Sequence, residues 1–234
     1  MSDYLEKLER DGFVVLEGRF LSSMIEALIE DITIALIKQN RIGAGIRNLL
    51  NLVPSVRELT TSEELRQPVE AVLGRNALIV RGVYFDKQKD SNWKVAWHQD
   101  LTIAVKKRVE LKGCTAWSIK AGIQHVHAPD WILENMIAMR VHLDDADESN
   151  GCLRVIPGSH KYGRLTNEEI LARRERTAQL SCAVKRGDVI MMRPLLLHAS
   201  SVSIQPAHRR VIHLEYCGVR LPDGLEWYES GSQD

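Results

Sequence analysis

The chain carries no surplus of charge of either sign: 31 Lys and Arg balance 31 Asp and Glu in 234 residues. Without a basic excess there is no broad field to draw it to nucleic acid or to an anionic membrane surface, and neither partner is expected. No apolar run approaches the length of a membrane span. The first ten residues alternate charged and apolar side chains and lack the apolar core of a signal peptide, so a cytoplasmic protein is expected. Four cysteines (Cys114, Cys152, Cys182 and Cys217) are scattered with no C-x-x-C pair. They read as reduced thiols, and nothing in their spacing asks for a disulfide. Internal repeats, linkers and low-complexity tracts are missing too. A chain of this length buries a substantial core undivided, so a single domain over 1–234 is expected.

What the sequence does contain is a helical first part and a strand-rich remainder. Residues 12–18 alternate as a short strand. Ser23, three before Glu26, makes a capping-box pattern ahead of an apolar-rich helix over 24–38, whose Ile25, Leu28, Ile29, Ile32 and Leu36 recur at helical spacing. A second helix is expected after Thr61, with Glu64 three residues on, ending at Leu73 before Gly74. From residue 77 onward, β-branched and aromatic runs over 78–85, 136–143, 152–156, around Val184, 189–192 and 211–216 predict strands. Turn residues separate them at 149–151, 157–158 and 186–188. Short helices are expected over 130–135 and 166–176, the latter capped by Thr166 and Glu169. The segment 103–128 has little periodicity and reads as a long loop over the mouth of a barrel. The fold class is therefore mainly β with flanking α-helices: a jelly roll, or double-stranded β-helix of cupin-like form, with helices over about 22–74 and the β core over about 76–218.

Within that frame three residues stand out: His98 and Asp100 at i and i+2, and His198, 98 positions after Asp100. Alternation along a strand puts His98 and Asp100 on one face, and a distant strand must bring His198 to them. Two imidazoles and one carboxylate form the facial triad of non-heme Fe(II) oxygenases, which leaves neighbouring metal positions open. Arg209 follows eleven residues after His198 and offers a planar guanidinium fork for a carboxylate. The adjacent Arg210 points to the opposite face of the same strand.

Further motifs keep company with these. Trp97-His98-Gln99-Asp100-Leu101, then Ser149-Asn150-Gly151-Cys152-Leu153-Arg154-Val155-Ile156-Pro157-Gly158-Ser159-His160-Lys161, then Gly187-Asp188-Val189 leading to Leu197-His198-Ala199-Ser200, and Arg209, resemble in order and spacing the phytanoyl-CoA dioxygenase family. Asp11-Gly12-Phe13-Val14-Val15-Leu16 is similar to that family's entry strand. The resemblance implies a dioxygenase that uses Fe(II), 2-oxoglutarate and O₂, oxidising a substrate C–H bond with release of succinate and CO₂. It assigns Arg209 to the distal carboxylate of 2-oxoglutarate, Ser200 to the same carboxylate, and Trp117 to the aromatic lining of the cosubstrate pocket. Related halogenases carry Gly or Ala where Asp100 stands, so hydroxylation is implied over halogenation.

The remaining candidates have plainer readings. His160 is expected as a turn residue, His125 and His127 as exposed loop residues or substrate contacts, and His142 and His213 as packed strand residues. Trp93 and Trp97 are expected at the barrel rim, with Lys94 and Arg81 facing the cavity, where they can meet an anionic substrate. A small-molecule substrate is expected, because the sequence reads as a single domain without a basic surface for a polymer. Nothing in the sequence speaks to oligomeric state. A cupin-type, non-redox metal isomerase or epimerase and a non-catalytic binder on the same fold are the alternatives. Arg209 has no purpose in the first, and the intact triad none in the second.

Overall fold

The computed structural model describes residues 2–38, 40, 45–204, 208–222 and 224–230. The ends of the expected 1–234 domain and residues 205–207 of its expected β core lie outside the described residues. Among those described, thirteen strands, β1 to β13 in chain order, form three antiparallel sheets. The main sheet runs β1 (Phe13–Leu16), β11 (Val189–Met192), β8 (Met136–His142), β13 (Arg209–Cys217), β3 (Leu78–Lys87) and β2 (Gly45–Arg47). A second runs β10 (Leu180–Cys182), β9 (Leu153–Val155), β12 (His198–Ser200) and β4 (Val95–His98). The third runs β5 (Thr102–Val105), β7 (Ile123–His127) and β6 (Thr115–Lys120). Most neighbours are distant in sequence, as in a jelly roll. The main and second sheets face each other across one cavity.

Strict alternation on the central strands divides the main sheet into two unlike faces. Ile137, Met139 and Val141 of β8 and Ile212, Leu214 and Tyr216 of β13 point outward into an apolar cluster. Facing them are Ile25, Leu28 and Ile32 of α2 (Ser22–Lys38) and residues of α3 (Leu49–Leu52), α4 (Pro54–Leu59) and α5 (Glu63–Leu73). Each such fully buried side chain contributes about 1.5–3 kcal/mol, which is what holds the helices on the sheet. Gly82 on β3 permits that close approach: a Cβ there would stand 2.9 Å from Leu50 Cδ2. On the inward face the same strands present Arg140, Arg209, His213 and Glu215 instead.

The structure corrects several expectations. The first long helix begins at Ser22, two residues before the expected start, so Ser23 lies inside it, and the Leu21 carbonyl receives the Met24 and Ile25 N–H groups. Thr61 does not cap α5; its hydroxyl donates to the Glu58 carbonyl, and Ser62 takes the cap position. Helix α1 (Asp3–Asp11) and the short α3 and α4 have no counterpart in the periodicity reading, because each is too short or too charged to show a sustained apolar stripe. The expected loop at 103–128 is the three-stranded sheet. Its β6 is mostly exposed and so carries no apolar alternation, and a tight turn at Ala121 and Gly122, both with positive φ, joins β6 to β7. Helices α6 (Asp130–Glu134) and α7 (Asn167–Arg176) form where expected, and Thr166 and Glu169 make the reciprocal cap of α7. No described helix is long and apolar enough to cross a membrane.

Candidate functional site

His98 closes β4 and His198 opens β12, and the two are direct partners in the antiparallel register. Their ring centroids stand 4.2 Å apart. Asp100 lies two residues beyond the strand, where its N–H donates to the Pro194 carbonyl at 2.9 Å. Its carboxylate oxygens come 3.6 Å from His98 Nε2 and 3.5 Å from His198 Nε2. The Nδ1 atom of each imidazole donates to a carbonyl two residues back, of Ala96 at 2.8 Å and of Leu196 at 2.9 Å. That fixes the tautomer and turns both Nε2 lone pairs toward Asp100. One donor atom from each of the three residues lies within 4.8 Å of the others.

Burial alone would raise the Asp100 carboxyl, but the two imidazoles overcome it and hold the group well below the usual carboxylate range. Burial also pushes His198 down to about 3, against the pull of Asp100. Gln99, between His98 and Asp100, faces the other way and anchors the segment. Its amide donates to the Leu195 carbonyl at 2.7 Å and the Gly163 carbonyl at 2.8 Å, and accepts from Leu165 N–H at 2.8 Å. No motif spacing singles it out; only its place between His98 and Asp100 is visible in the sequence.

The triad opens on a cavity of about 710 Å³, counting its mouth. Arg209 lines it, 3% exposed, and neither its Nε nor one of its terminal nitrogens has a partner. Burial and the neighbouring Arg140 lower its pKa to about 10. Ser200 lines the cavity beside it and receives a 2.9 Å hydrogen bond from Lys87 Nζ, which also donates to the Ser201 carbonyl. Lys87 is the register partner of Arg209 and is fully buried; burial first, then Arg209, brings it to about 7. This end of the cavity therefore holds two cations without a carboxylate in ion-pair reach among the described residues. Arg210 faces away, as expected, in a two-pronged pair with Asp144 at 2.8 and 2.6 Å.

Trp117 does not join them. An irregularity in β6 between Thr115 and Ser118, with Ala116 at a φ of 49°, turns the strand there. The Trp117 ring packs in a separate apolar cluster with Arg108 5.6 Å from its centroid, away from the residues lining the cavity. The other expectations divide in the same manner. Trp93 and Arg81 line the cavity, whereas Trp97 and Lys94 line a neighbouring depression, Trp97 beneath Arg154. His125 is fully buried within β7 rather than exposed on a loop, and burial lowers it to about 4. His142 is buried in β8, His160 sits in a short 3₁₀ turn, and His213 faces the cavity. Sequence reasoning missed Lys87 and Arg140, since a basic residue inside an apolar strand run carries no signal of which face it takes until the register is known.

Comparison with known proteins agrees with this architecture. The chain is 23% identical over 198 residues to phytanoyl-CoA dioxygenase 1 of Oryza sativa subsp. japonica, a match that covers 80% of this chain but spans only 59% of that relative. Among solved structures, EctD from S. alaskensis with bound Fe superposes with a TM-score of 0.73 at 22% identity, covering 93% of this chain and 76% of that one. HygX from Streptomyces hygroscopicus with nickel and 2-oxoglutarate bound gives 0.66 at 19%, covering 93% and 87%. SnoK, a non-heme alpha-ketoglutarate-dependent carbocyclase from nogalamycin biosynthesis, gives 0.73 at 15%, covering 93% and 84%. These likenesses establish the double-stranded β-helix. The family model for phytanoyl-CoA dioxygenase (PhyH) matches residues 8–211, nearly the whole of the sheet framework and the triad with it, and the chain belongs to that family.

Proposed function

We propose that this chain is an Fe(II)- and 2-oxoglutarate-dependent dioxygenase that oxidises a C–H bond of a small molecule, working as one cytoplasmic domain. The observation that carries the reading is the meeting, in one cavity, of the His98, Asp100 and His198 donor atoms with the unpartnered guanidinium of Arg209. The donor set fits the metal: two neutral imidazoles turned by backbone hydrogen bonds and one ionised carboxylate suit Fe(II). The buried nitrogens of Arg209 fit a carboxylate, because a guanidinium left without a partner in such a place is otherwise costly.

When bound, iron and 2-oxoglutarate would together activate O₂, with succinate and CO₂ as the cosubstrate's products. The protein's own residues do the rest. His98, Asp100 and His198 would hold the metal on one side, so that its other side faces the cavity. Arg209 would grip the distal carboxylate of 2-oxoglutarate with two parallel hydrogen bonds, aided by Ser200, whose hydroxyl Lys87 holds. Phe85, Trp93 and Val95 wall the remaining space and exclude water from the reacting C–H bond. With a carboxylate at position 100, oxidation rather than halogenation is the expected outcome.

The test is anaerobic addition of Fe(II) and then 2-oxoglutarate to the protein. A weak visible charge-transfer band is expected only when both are present. Failure of the unmodified protein to give it would reject this reading and favour a non-redox metal isomerase.

A further inference from the structure

Arg209 and the triad leave a second buried guanidinium in the same cavity without a task. Arg140 projects inward from β8 and is 8% exposed. Its Nε has no partner, and among the described residues no carboxylate pairs with it. Among the described residues its one hydrogen bond runs from Nη1 to His213 Nδ1 at 3.0 Å. A guanidinium only donates, so His213 accepts at Nδ1 and carries its proton on Nε2. That proton points to Glu215 Oε1 at 3.3 Å, which also takes Arg81 Nη1 at 2.9 Å. The four side chains thus form one hydrogen-bonded row across the inner faces of β8, β13 and β3. Arg81 matches the charge of Glu215, and the charge of Arg140 is left over.

We infer that Arg140 is the binding site for an oxyanion of the substrate, so that the substrate is a small organic acid held by a carboxylate or phosphate group. This rests on the reading above, in which Arg209 and the metal take the two ends of 2-oxoglutarate. Arg140 pairs across the sheet with His213, four residues along β13 from Arg209, a displacement of about 14 Å at strand rise. Their backbones are thus well separated along the cavity wall, although the long side chains lean near enough for the charge of Arg140 to lower the pKa of Arg209. Arg140 lines the same cavity as His98, Asp100 and His198. An acid anchored there would have its carbon skeleton against Phe85, Trp93 and Leu153, within reach of the metal position. The Phe85 ring lies beside the guanidinium, its centroid 5.9 Å from Arg140 Cζ. The row through His213 and Glu215 fixes Arg140 before substrate arrives, so the oxyanion meets a preformed donor.

The test uses the full chain loaded with Mn(II) in place of iron, read by calorimetry. Titration with 2-oxoglutarate comes first; no binding would reject the cosubstrate reading itself. With 2-oxoglutarate saturating, the protein is titrated with a panel of aliphatic and aromatic carboxylates, their primary amides, and alkyl phosphates. Carboxylates or phosphates are expected to bind at least tenfold more tightly than the matched amides, and whichever class binds identifies the oxyanion. Arg140→Gln should weaken the preferred acid tenfold or more, with Arg140→Lys between, while 2-oxoglutarate affinity stays within twofold. Equal binding of acids and amides overturns the inference. So does a variant whose loss falls on 2-oxoglutarate, for then Arg140 belongs to the cosubstrate. If neither variant folds, a crystal of the unmodified protein with Mn(II), 2-oxoglutarate and the tightest acid decides it: the acid group on Arg140 is expected, and any other placement overturns it.

Discussion

At the scale of single residues, the site's chemistry comes from groups whose usual solvent or ion partners have been removed. His98, Asp100 and His198 would share one ion, so replacing any of them by Ala should abolish iron binding, and the losses should not add in double variants. Iron content near that of the parent in His198→Ala would reject the assignment. Arg209→Ala should cost on the order of 2–5 kcal/mol of 2-oxoglutarate binding, because a buried carboxylate then loses its charged partner. Arg209→Lys should fall between, since it keeps charge but not the planar fork. Arg210→Ala, already paired outside with Asp144, should change cosubstrate affinity little. Equilibrium titration of 2-oxoglutarate distinguishes all three. Lys87 makes a pH-dependent prediction. Its pKa falls from 10.5 in the unfolded chain to about 7 in the fold, so below pH 7 both states are protonated and the cost of burying the ammonium is fully felt. Between pH 7 and 10.5 the unfolded chain binds more protons, and that cost is progressively relieved. The stability of the unmodified apoprotein should therefore rise relative to Lys87→Met as pH increases through that window. Melting curves of the two proteins from pH 6.5 to 9 that stay parallel would show that Lys87 is not so perturbed.

At the scale of elements, two residues decide whether the parts meet. Gln99 ties the segment carrying His98 and Asp100 to the loops at residues 163–165 and 195. Gln99→Ala should lower metal affinity by about 10- to 100-fold, the usual effect of losing a group that orients ligands, although Gln99 touches no metal. Gly82→Ala should destabilise the fold by about 1–3 kcal/mol, since its Cβ would press on Leu50 and push α3 from the sheet. Denaturant unfolding measures the latter, with the slope expected to be unchanged. The long β-branched runs were legible because burial on both sides of β8, or on the inner and outer faces of β13, demands them. The sheet of β5, β7 and β6 was not: β6 is exposed and has no need of alternation, and the buried β5 and β7 are only four and five residues long, too short to show a sustained pattern. For the same reason Trp117 was placed by resemblance into a pocket that the turn in β6 keeps it from reaching.

At the scale of the whole molecule, the outer face of the main sheet is closed by helices and its inner face by the second sheet, leaving one cavity with an excess of cations on its wall. Filling that excess should stabilise the fold as a unit. With Mn(II) present and 2-oxoglutarate at 100 times its dissociation constant, the gain should be about 2.7 kcal/mol. A matching rise in melting temperature is expected in the parent, and in Arg209→Ala at the same concentration it should fall to about a third or less. A rise that survives in full in the variant would place the cosubstrate elsewhere.

The residue order by itself pointed to the fold class, through local alternation, and to the proposed triad with Arg209, through which side chains can bind metal or carboxylate and through the motif spacing it shares with the family. Period-two geometry showed that only one of Arg209 and Arg210 can face the cavity, and the resemblance to the family picked Arg209. Only the tertiary structure decided which cations share the cavity. Lys87, Arg81 and Arg140 lie on strands whose inward face depends on the register with β13 and β8, and that register is set by packing against helices far away in sequence. The charge left unpaired inside the barrel is a property of that packing, and no local pattern announces it.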